Sequence, residues 1–205
     1  MTAVQNKLLS LYLIRHGQTE WSLSGQHTGR TDIPLTAHGE AEARALKPWI
    51  RQVPFGLVLT SPRQRARRTC ELLGIGQAVE IEPDLAEWDY GDYEGKTSAD
   101  IRKERPKWNI FRDGCPNGET PTQVSNRADR LIARLSAMTG NVALFSHGQI
   151  SMALAARWIG VPLAAAQHFS IGTASLSVLG YSPNHPDVRV IALWNAIPAR
   201  FAGSV

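Results

Sequence analysis

The chain has 205 residues, a length that fits one α/β domain, and we treat residues 1–205 as a single domain. Its hydrophobic fraction of 43% is large enough for a full core and excludes an intrinsically disordered chain. The 22 Lys and Arg residues exceed the 18 Asp and Glu residues, so the formal net charge is +4. This modest excess suits an anionic substrate but is also common in proteins without one, so charge alone selects no partner.

The first predicted element is a strand at residues 8–14, because this near-continuous apolar run is typical of a strand buried on both faces. The run is too short to span a membrane and is followed by Arg15 and His16 rather than a cleavage site. We therefore expect no signal peptide, no transmembrane helix and no membrane partner. Cys70 and Cys115 show no metal-binding spacing, so we predict a reducing, cytoplasmic location.

Helices are predicted to follow at several points along the chain. One runs from about residue 37 toward residue 51, and Pro48 inside it should end or kink it. Three more begin with the capping-box pattern, in which a hydroxyl residue and a residue three positions later satisfy free N–H groups reciprocally. These predicted starts are at Ser61, Thr120 and Ser146.

Further strands are predicted at residues 57–59, 142–145, 173–179 and 188–193. Strands alternating with helices indicate an α/β fold with three layers, α/β/α, around a largely parallel central sheet. Such sheets bind ligands at the carboxyl ends of their strands. His16 and His147 directly follow predicted strands, and Arg65 lies within one helical turn after a third. We therefore expect these three side chains to converge at one edge of the sheet.

Imidazole, guanidinium and carboxyl groups are the groups that phosphate ester chemistry needs. A neutral imidazole can attack phosphorus near neutral pH, and arginine matches the geometry of phosphate oxygens. A carboxylic acid can protonate the departing oxygen and then activate water. The segment Arg15-His16-Gly17 offers the first two groups, with Gly17 allowing a sharp turn and close approach of phosphate.

This segment resembles the opening signature of the histidine phosphatase superfamily, also called the phosphoglycerate mutase-like family. The matching blocks are residues 13–21 (LIRHGQTEW), 28–36 (TGRTDIPLT) with Gly39, 60–69 (TSPRQRARRT), 85–87 (LAE), 118–120 (GET) and 146–148 (SHG). They occur in family order and extend from about residue 8 to residue 148. The resemblance implies the fold of that family and an enzyme acting on small phosphate esters.

The resemblance also implies roles for individual residues. His16 is similar to the nucleophile that becomes phosphorylated, and Arg15 and Arg65 to the arginines that bind phosphate. His147 is similar to the second histidine, which donates to the phosphoryl oxygens. Glu87 is similar to the general acid.

Five further positions are implied to contact the substrate: Ser22, Thr28, Gly29, Tyr90 and Gly148. Glu94 is a competing acid, although its place after a Gly-Asp-Tyr segment favours a structural turn. Trp21 and Trp88 flank the implied catalytic residues, so we expect them to contribute to a pocket wall. The remaining histidines match no block and are expected to be surface or hydrogen-bonded residues: His27, His38, His168 and His185.

The family contains mutases as well as phosphatases. Glu87 and Gly118 are 31 positions apart, which leaves no room for the long insertion that the mutases carry there. Ser22 and Ser98 stand where those mutases have Asn and Lys. These departures favour hydrolysis, with mutase activity as the alternative and a non-catalytic phospho-ligand binding module as an alternative of another class.

Residues 87–95 and 108–115 resemble the subgroup of bacterial acid phosphatases and sedoheptulose bisphosphatase-like enzymes. We therefore expect a sugar phosphate or bisphosphate as substrate and a cap over the site formed by residues 108–115. Arg112 either holds a second phosphate or forms an ion pair with Asp113, and the sequence leaves both readings open.

The expected partner is thus a small-molecule phosphate ester, with no metal and no cofactor. The basic residues Arg63, Arg67 and Arg68 are read as helix-surface charges, and no nucleic-acid recognition motif accompanies them. A homodimer is left open, since dimers occur in the family. Residues from about 195 to 205 are predicted to form a mobile tail.

Overall fold

The computed structural model describes residues 8–75 and 78–198. Six strands form one sheet: β1 (Ser10–Arg15), β2 (Phe55–Thr60), β3 (Val79–Ile81), β4 (Asn141–Ser146), β5 (Leu176–Tyr181) and β6 (Arg189–Ala196). Their order across the sheet is β3-β2-β4-β1-β5-β6. The first four strands of that order are parallel, whereas β5 pairs antiparallel with β1 and β6 pairs antiparallel with β5. The sheet is therefore mixed, with a parallel part and an antiparallel edge.

Eight α-helices lie in the described ranges: α1 (Glu20–Ser24), α2 (Ala37–Ala45), α3 (Lys47–Ile50), α4 (Gln64–Leu73), α5 (Ser98–Glu104), α6 (Ile110–Asp113), α7 (Pro121–Ser136) and α8 (Gly148–Trp158). Short 3-10 helices occur at Pro83–Leu85, Gly91–Tyr93 and Leu163–His168. The chain thus alternates between strands and helices through its parallel part, as the sequence predicts.

Side chains of alternate strand residues contribute to two separate hydrophobic cores, one on each face of the sheet. In β4, Val142 and Leu144 pack with the buried faces of α7 and α8, while Ala143 and Phe145 pack with α4 and the segment around α3. The strands β1, β2 and β4 carry apolar residues on both faces because helices cover both faces of the sheet. The predicted three-layer α/β/α architecture is confirmed.

The structure confirms some of the predicted helix and strand boundaries and contradicts others. The helix predicted near Pro48 is divided, with α2 ending at Ala45 and α3 beginning at Lys47. Thr120 caps α7 with the expected capping box. The strand β3 was not predicted, because it has three residues at the sheet edge and all three are exposed.

The other two predicted capping boxes are wrong. Helix α4 begins only at Gln64, and the Ser61 hydroxyl lies 2.7 Å from Nε2 of His147 while it accepts from the N–H of Arg63 at 3.3 Å, so no capping box forms. Helix α8 begins at Gly148, and the Ser146 hydroxyl donates to the carbonyl of Leu85. In both places a tertiary contact takes the hydroxyl that the local pattern assigns to a cap.

The predicted tail boundary at about residue 195 is too early. Asn195 and Ala196 belong to β6, and the Asn195 side chain accepts from the backbone N–H of Gly172 at 2.7 Å. Asn195 has a positive φ of 57°, which asparagine tolerates better than most residues. The rest of the predicted tail, residues 199–205, lies outside the described residues.

Candidate active site

His16 and His147 meet because β1 and β4 are adjacent parallel strands in matched register. Arg15 pairs with Ser146, so the next residue of each strand emerges at the same edge of the sheet. The backbone N–H of His16 donates to the carbonyl of Ser146 at 3.0 Å. The two imidazole rings lie 5.1 Å apart at an interplanar angle of 64°. The convergence expected from the strand pattern is observed.

The protonation of His16 follows from its one backbone contact. Nδ1 lies 2.7 Å from the carbonyl oxygen of Gly17, which only accepts, so Nδ1 carries the proton. Burial and the charges of Arg65 and Arg15 lower the pKa of His16 well below 6.5. The ring is therefore neutral near pH 7 and its Nε2 keeps an available lone pair. This is the state that a nucleophilic histidine requires.

His147 is neutral as well, in the opposite tautomer. Nε of Arg65 donates to Nδ1 of His147 at 3.1 Å, so the proton lies on Nε2, 2.7 Å from the Ser61 hydroxyl. Burial, Arg65 and His16 lower the pKa of His147 well below 6.5. The ring is fully buried. Donation from His147 to a phosphoryl oxygen thus requires its Nε2–H to exchange Ser61 for the ligand.

Arg65 lies inside the protein with no exposed surface. Its terminal nitrogens donate to the backbone carbonyls of Thr28, Gly29 and Thr31 at 2.9 to 3.2 Å. Burial lowers the pKa of Arg65 to about 10, so the guanidinium stays charged near pH 7. Arg65 therefore holds the 28–31 loop against His147 and places a positive charge behind the site.

Arg15 has unused donor capacity at the site. Nη1 donates to the carbonyl of Ile171 at 2.7 Å, whereas the buried Nε has no partner among the described residues. Burial lowers the pKa of Arg15, and the charge of Glu87 partly offsets that effect. An unpaired buried N–H of a cation is costly and marks a place where an anion is expected to bind.

Glu87 is held by backbone N–H groups of α8. Oε2 accepts from Gln149 at 3.0 Å, and Oε1 accepts from Ile150 at 3.0 Å and from Trp88 at 2.9 Å. Glu87 thus supplies the cap that the Ser146 pattern predicts, from about 60 residues upstream. An acid at a helix N-terminus is also favoured by the helix dipole. The carboxyl group is thereby fixed in position beside Arg15.

Gly148 separates Arg15 from Glu87. A Cβ at this position would lie 3.5 Å from Cζ of Arg15 and 3.7 Å from Oε2 of Glu87. Those are ordinary contact distances, so Gly148 sits between the two groups, although it does not line the cavity described next.

A cavity of about 260 Å³ opens at these side chains. This volume approaches the range of small-molecule pockets. The lining residues are Arg15, His16, Thr19, Trp21, Ser22, Gly25, Gln26, His27, Thr28, Glu87, Tyr90, Ser98 and Gln149. Three of the five catalytic candidates therefore line it, while Arg65 and His147 lie behind its floor.

The predicted substrate residues divide between the cavity and its support. Ser22, Thr28 and Tyr90 line the cavity. Gly29 does not line the cavity. Its N–H donates to both oxygens of Glu94 at 2.9 and 3.1 Å and is therefore not available to a ligand. Glu94 also accepts from the N–H of Thr31 at 2.9 Å and so fixes the 28–31 loop. This contact agrees with the interpretation of Glu94 as a structural residue rather than the acid.

Arg112 lies outside this cavity. It forms a bidentate ion pair with Asp113 at 2.8 and 3.0 Å and lines a separate cleft with Trp108. Residues 108–115 likewise do not line the cavity, so the predicted cap over the site is wrong for this structure. Trp108 instead packs edge-on against His27, with 5.5 Å between ring centroids. The segment supports the cavity wall from behind because its apolar side chains belong to the core.

Several lining residues were missed from the sequence. The sequence predicts His27 to be a surface or hydrogen-bonded histidine; it is hydrogen-bonded, to Ser98, but it also lines the cavity next to Thr28. Gln149 follows the SHG block and also lines it. Both residues lie directly beside blocks that match the family, and this adjacency was the sequence signal that could have identified them as cavity residues. Trp21 lines the cavity as predicted, whereas Trp88 is fully buried and donates to the carbonyl of Glu119 at 2.9 Å.

His38, His168 and His185 are exposed, in agreement with their interpretation as surface residues. The described residues contain no group of three or more His, Cys, Asp or Glu side chains that could hold a metal ion. Within the same ranges, every helix is too short or too polar to cross a membrane.

Comparison with known proteins agrees with this geometry. The family model of the histidine phosphatase superfamily (branch 1) matches residues 11–194. An acid phosphatase of Mycobacterium tuberculosis is 39% identical over 187 residues, covering 89% of this chain and 92% of that protein. Sedoheptulose 1,7-bisphosphatase of Saccharomyces cerevisiae is 41% identical over 182 residues, covering 73% of this chain and 67% of that protein. The solved structure of a Mycobacterium tuberculosis open reading frame matches with a TM-score of 0.86 and 36% identity, covering 92% of this chain and 98% of that one.

Proposed function

The chain belongs to the histidine phosphatase superfamily, and on that premise we propose that it hydrolyses small phosphate monoesters through a phosphohistidine formed on His16. The observation that carries the proposal is the hydrogen bond from Nδ1 of His16 to the Gly17 carbonyl. It leaves the unprotonated Nε2 available in a cavity that Arg15 and Glu87 also line. The groups that we propose as nucleophile, anion ligand and acid therefore line one small cavity, which supports the proposal.

In the first step, the Nε2 lone pair of His16 attacks phosphorus and the bond from phosphorus to the ester oxygen breaks. Glu87, in its acid form, gives a proton to the departing oxygen, which leaves as an alcohol. Arg15 binds the phosphoryl oxygens through its unpaired Nε–H, and the buried charge of Arg65 stabilises the anion from behind.

In the second step, water attacks phosphorus and the bond from phosphorus to Nε2 breaks. The Glu87 carboxylate accepts the proton of the attacking water, so phosphate is released and both residues return to their initial states. Because Arg15 and Arg65 supply the positive charge that the phosphoryl group needs, we propose that the reaction requires no metal ion.

We propose a sugar phosphate or bisphosphate as the substrate class. The relatives named for acid phosphatase and sedoheptulose 1,7-bisphosphatase activity support this choice. The size of the cavity supports it too, because about 260 Å³ suits a small metabolite rather than a macromolecule.

The test is phosphate release from p-nitrophenyl phosphate and a panel of sugar phosphates, with EDTA present. We expect His16→Ala to remove essentially all turnover, and His38→Ala, at an exposed position, to retain it. Rapid quenching during turnover should give wild-type protein with one added phosphoryl group on His16, detected by intact mass and peptide mapping.

Three outcomes would contradict this proposal. Undiminished release by His16→Ala would place the nucleophile elsewhere. Ligand binding without any His16-dependent release would support the non-catalytic binding module. Loss of activity in EDTA, restored by Mg²⁺, would contradict the metal-independent mechanism.

A further inference from the structure

The charged residues of the cavity are confined to one end. Arg15 and Glu87 are the charged lining residues and form the reacting end together with the neutral His16, and all other lining residues are uncharged. We propose that this uncharged wall is a leaving-group subsite for a neutral polyhydroxylated group. Within the sugar phosphate or bisphosphate class proposed above, this wall favours the monophosphate of a sugar or polyol over a bisphosphate or a phosphorylated acid. This inference rests on the proposed phosphatase function and deepens it.

The wall contains a hydrogen-bonded pair, His27 and Ser98. Nε2 of His27 lies 3.1 Å from the Ser98 hydroxyl. A hydroxyl and an imidazole each have capacity for more than one hydrogen bond, so both residues can also bind substrate hydroxyl groups. Burial lowers the pKa of His27 to about 4, so this pair adds no positive charge near pH 7.

The position of the His27 ring is set by aromatic neighbours. It stacks on Tyr90 with ring centroids 4.5 Å apart and an interplanar angle of 21°, and Trp108 contacts it edge-on. Trp21 adds a second aromatic side chain to the lining. Aromatic surface combined with a few polar groups suits a sugar, which presents apolar C–H faces and many hydroxyl groups.

Basic side chains on the segments that build the wall are engaged elsewhere. Arg30 pairs with Asp89 at 2.7 Å, and Nε of Arg102 donates to the carbonyl of Trp108 at 3.3 Å. The ammonium of Lys96 lies over the ring of Tyr93, 5.5 Å from its centroid. Among the described residues, Arg15 is thus the only Lys or Arg that lines the cavity.

A second anionic group would therefore enter the wall without a cationic partner. Moving an unpaired carboxylate or phosphate from water into a partly buried, uncharged site is unfavourable, whereas a hydroxyl group can exchange water for Ser98 or His27. The wall discriminates by charge more strongly than by shape, since it offers hydrogen bonds but no counterion.

The test uses three matched esters: glucitol 6-phosphate, gluconate 6-phosphate and glucitol 1,6-bisphosphate. The first two have the same six-carbon length and differ by a neutral alcohol against a carboxylate. We expect kcat/KM for glucitol 6-phosphate to exceed that for each charged ester by at least about tenfold, the change that corresponds to about 1.4 kcal/mol.

The variant Ser98→Lys places a cation in the wall, and Ser98→Met is its matched control of similar length without charge. We expect Ser98→Lys to reduce the preference for glucitol 6-phosphate over gluconate 6-phosphate at least about fivefold relative to Ser98→Met. The readout is this ratio of kcat/KM values, measured on variants whose thermal unfolding midpoints are recorded in parallel.

A wild-type enzyme that prefers either charged ester would overturn the inference while leaving the phosphatase function intact. Equal ratios in Ser98→Lys and Ser98→Met would also overturn it, because charge would then not govern the choice. If no ester in the wider panel, aryl phosphate included, shows His16-dependent phosphate release, the proposed function itself fails and the inference falls with it.

Discussion

Two arginines and two histidines share the buried end of the site, and burial determines their charge states. Arg15 and Arg65 remain cationic near pH 7, and their charges together with burial keep His16 and His147 neutral. A neutral imidazole next to two cations can attack an anion that the cations attract. The chemistry at the scale of single residues therefore depends on desolvation more than on any one contact.

The lowered histidine pKa values predict acid sensitivity of the fold. Because His16 and His147 are neutral in the folded protein, the unfolded chain binds more protons below pH 6.5. Their contribution to stability is fully present above about pH 6.5 and is lost as the pH falls toward the folded-state pKa values. Each histidine should reduce the free energy of unfolding by up to about 1.4 kcal/mol per pH unit in that window.

Urea unfolding between about pH 7 and about pH 5 measures this effect. The variant His16→Asn should lose less stability over that range than the wild type, by up to about 1.4 kcal/mol per pH unit. His185→Asn, at an exposed position, is the control and should follow the wild-type curve. Parallel curves for the wild type and His16→Asn would show that His16 is not held neutral by the fold.

The proposed role of Glu87 as the acid predicts that its substitution slows alkyl and aryl phosphates to different extents. Glu87→Gln should slow alkyl phosphates about 10²–10³-fold but aryl phosphates about tenfold or less, because an aryl oxide departs without full protonation. Single-turnover kinetics with one substrate of each kind measure the two effects. Equal slowing would assign the proton transfer to another group.

At the scale of elements, the loop that follows His16, the proposed nucleophile, packs closely against the start of α2. A Cβ on Gly17 would lie 2.2 Å from the carbonyl oxygen of Gly39, and a Cβ on Gly39 would lie 2.1 Å from that of Gln18. The start of α2 thus touches the backbone directly after His16. Gly17 permits this contact because it has no side chain. It is therefore required for packing against α2, in addition to the sharp turn that the sequence predicts.

A substitution at Gly39 tests this packing between α2 and the loop after His16. Gly39→Ala should cost about 1–3 kcal/mol of unfolding free energy and lower kcat/KM, since the added methyl group displaces the backbone next to His16. Gly56→Ala in β2 is the matched control, because its Cβ would find only one atom, at 4.0 Å. Thermal unfolding and aryl phosphate kinetics of both variants measure the difference. Equal effects of the two substitutions would contradict the packing argument.

Helix α8 shows the same dependence between elements. Its N-terminus is capped by Glu87, which comes from the segment after the Pro83–Leu85 turn, so the acid and the helix are positioned together. Glu87→Gln should consequently lose about 0.5–2 kcal/mol of stability in addition to its kinetic effect.

At the scale of the whole molecule, the parallel strands collect residues distant in sequence around a site in which Arg15 keeps an unpaired N–H donor. Occupation by an anion should therefore stabilise the entire fold. A saturating oxyanion at about 100 times its Kd contributes about 2.7 kcal/mol, which should raise the unfolding midpoint by about 5–10 °C in a domain of this size.

Differential scanning calorimetry with orthovanadate or inorganic phosphate measures this shift. Arg15→Met should abolish most of it, since it removes the ligand with the unpaired Nε–H. Arg157→Met is the control, because Arg157 pairs with Asp129 and does not line the cavity. A midpoint that does not respond to either anion in the wild type would argue against an anion site at Arg15.

Sequence patterns were enough to predict the α/β class, five of the six strands and the convergence of His16, His147 and Arg65. These features depend on periodicity and on chain order, which are local properties that a parallel sheet turns into proximity. The edge strand β3 escaped prediction because three exposed residues carry no periodic signal.

Only the tertiary structure decided which polar groups are available to a ligand. It engages Gly29 with Glu94, His147 with Ser61 and Arg112 with Asp113, and it places His27 in the cavity wall. The sequence states which groups the chain carries and in what order they follow the strands. Which of them keep an unused donor or lone pair depends on partners as far as 156 residues away, as for Arg15 and Ile171, and no local pattern encodes that choice.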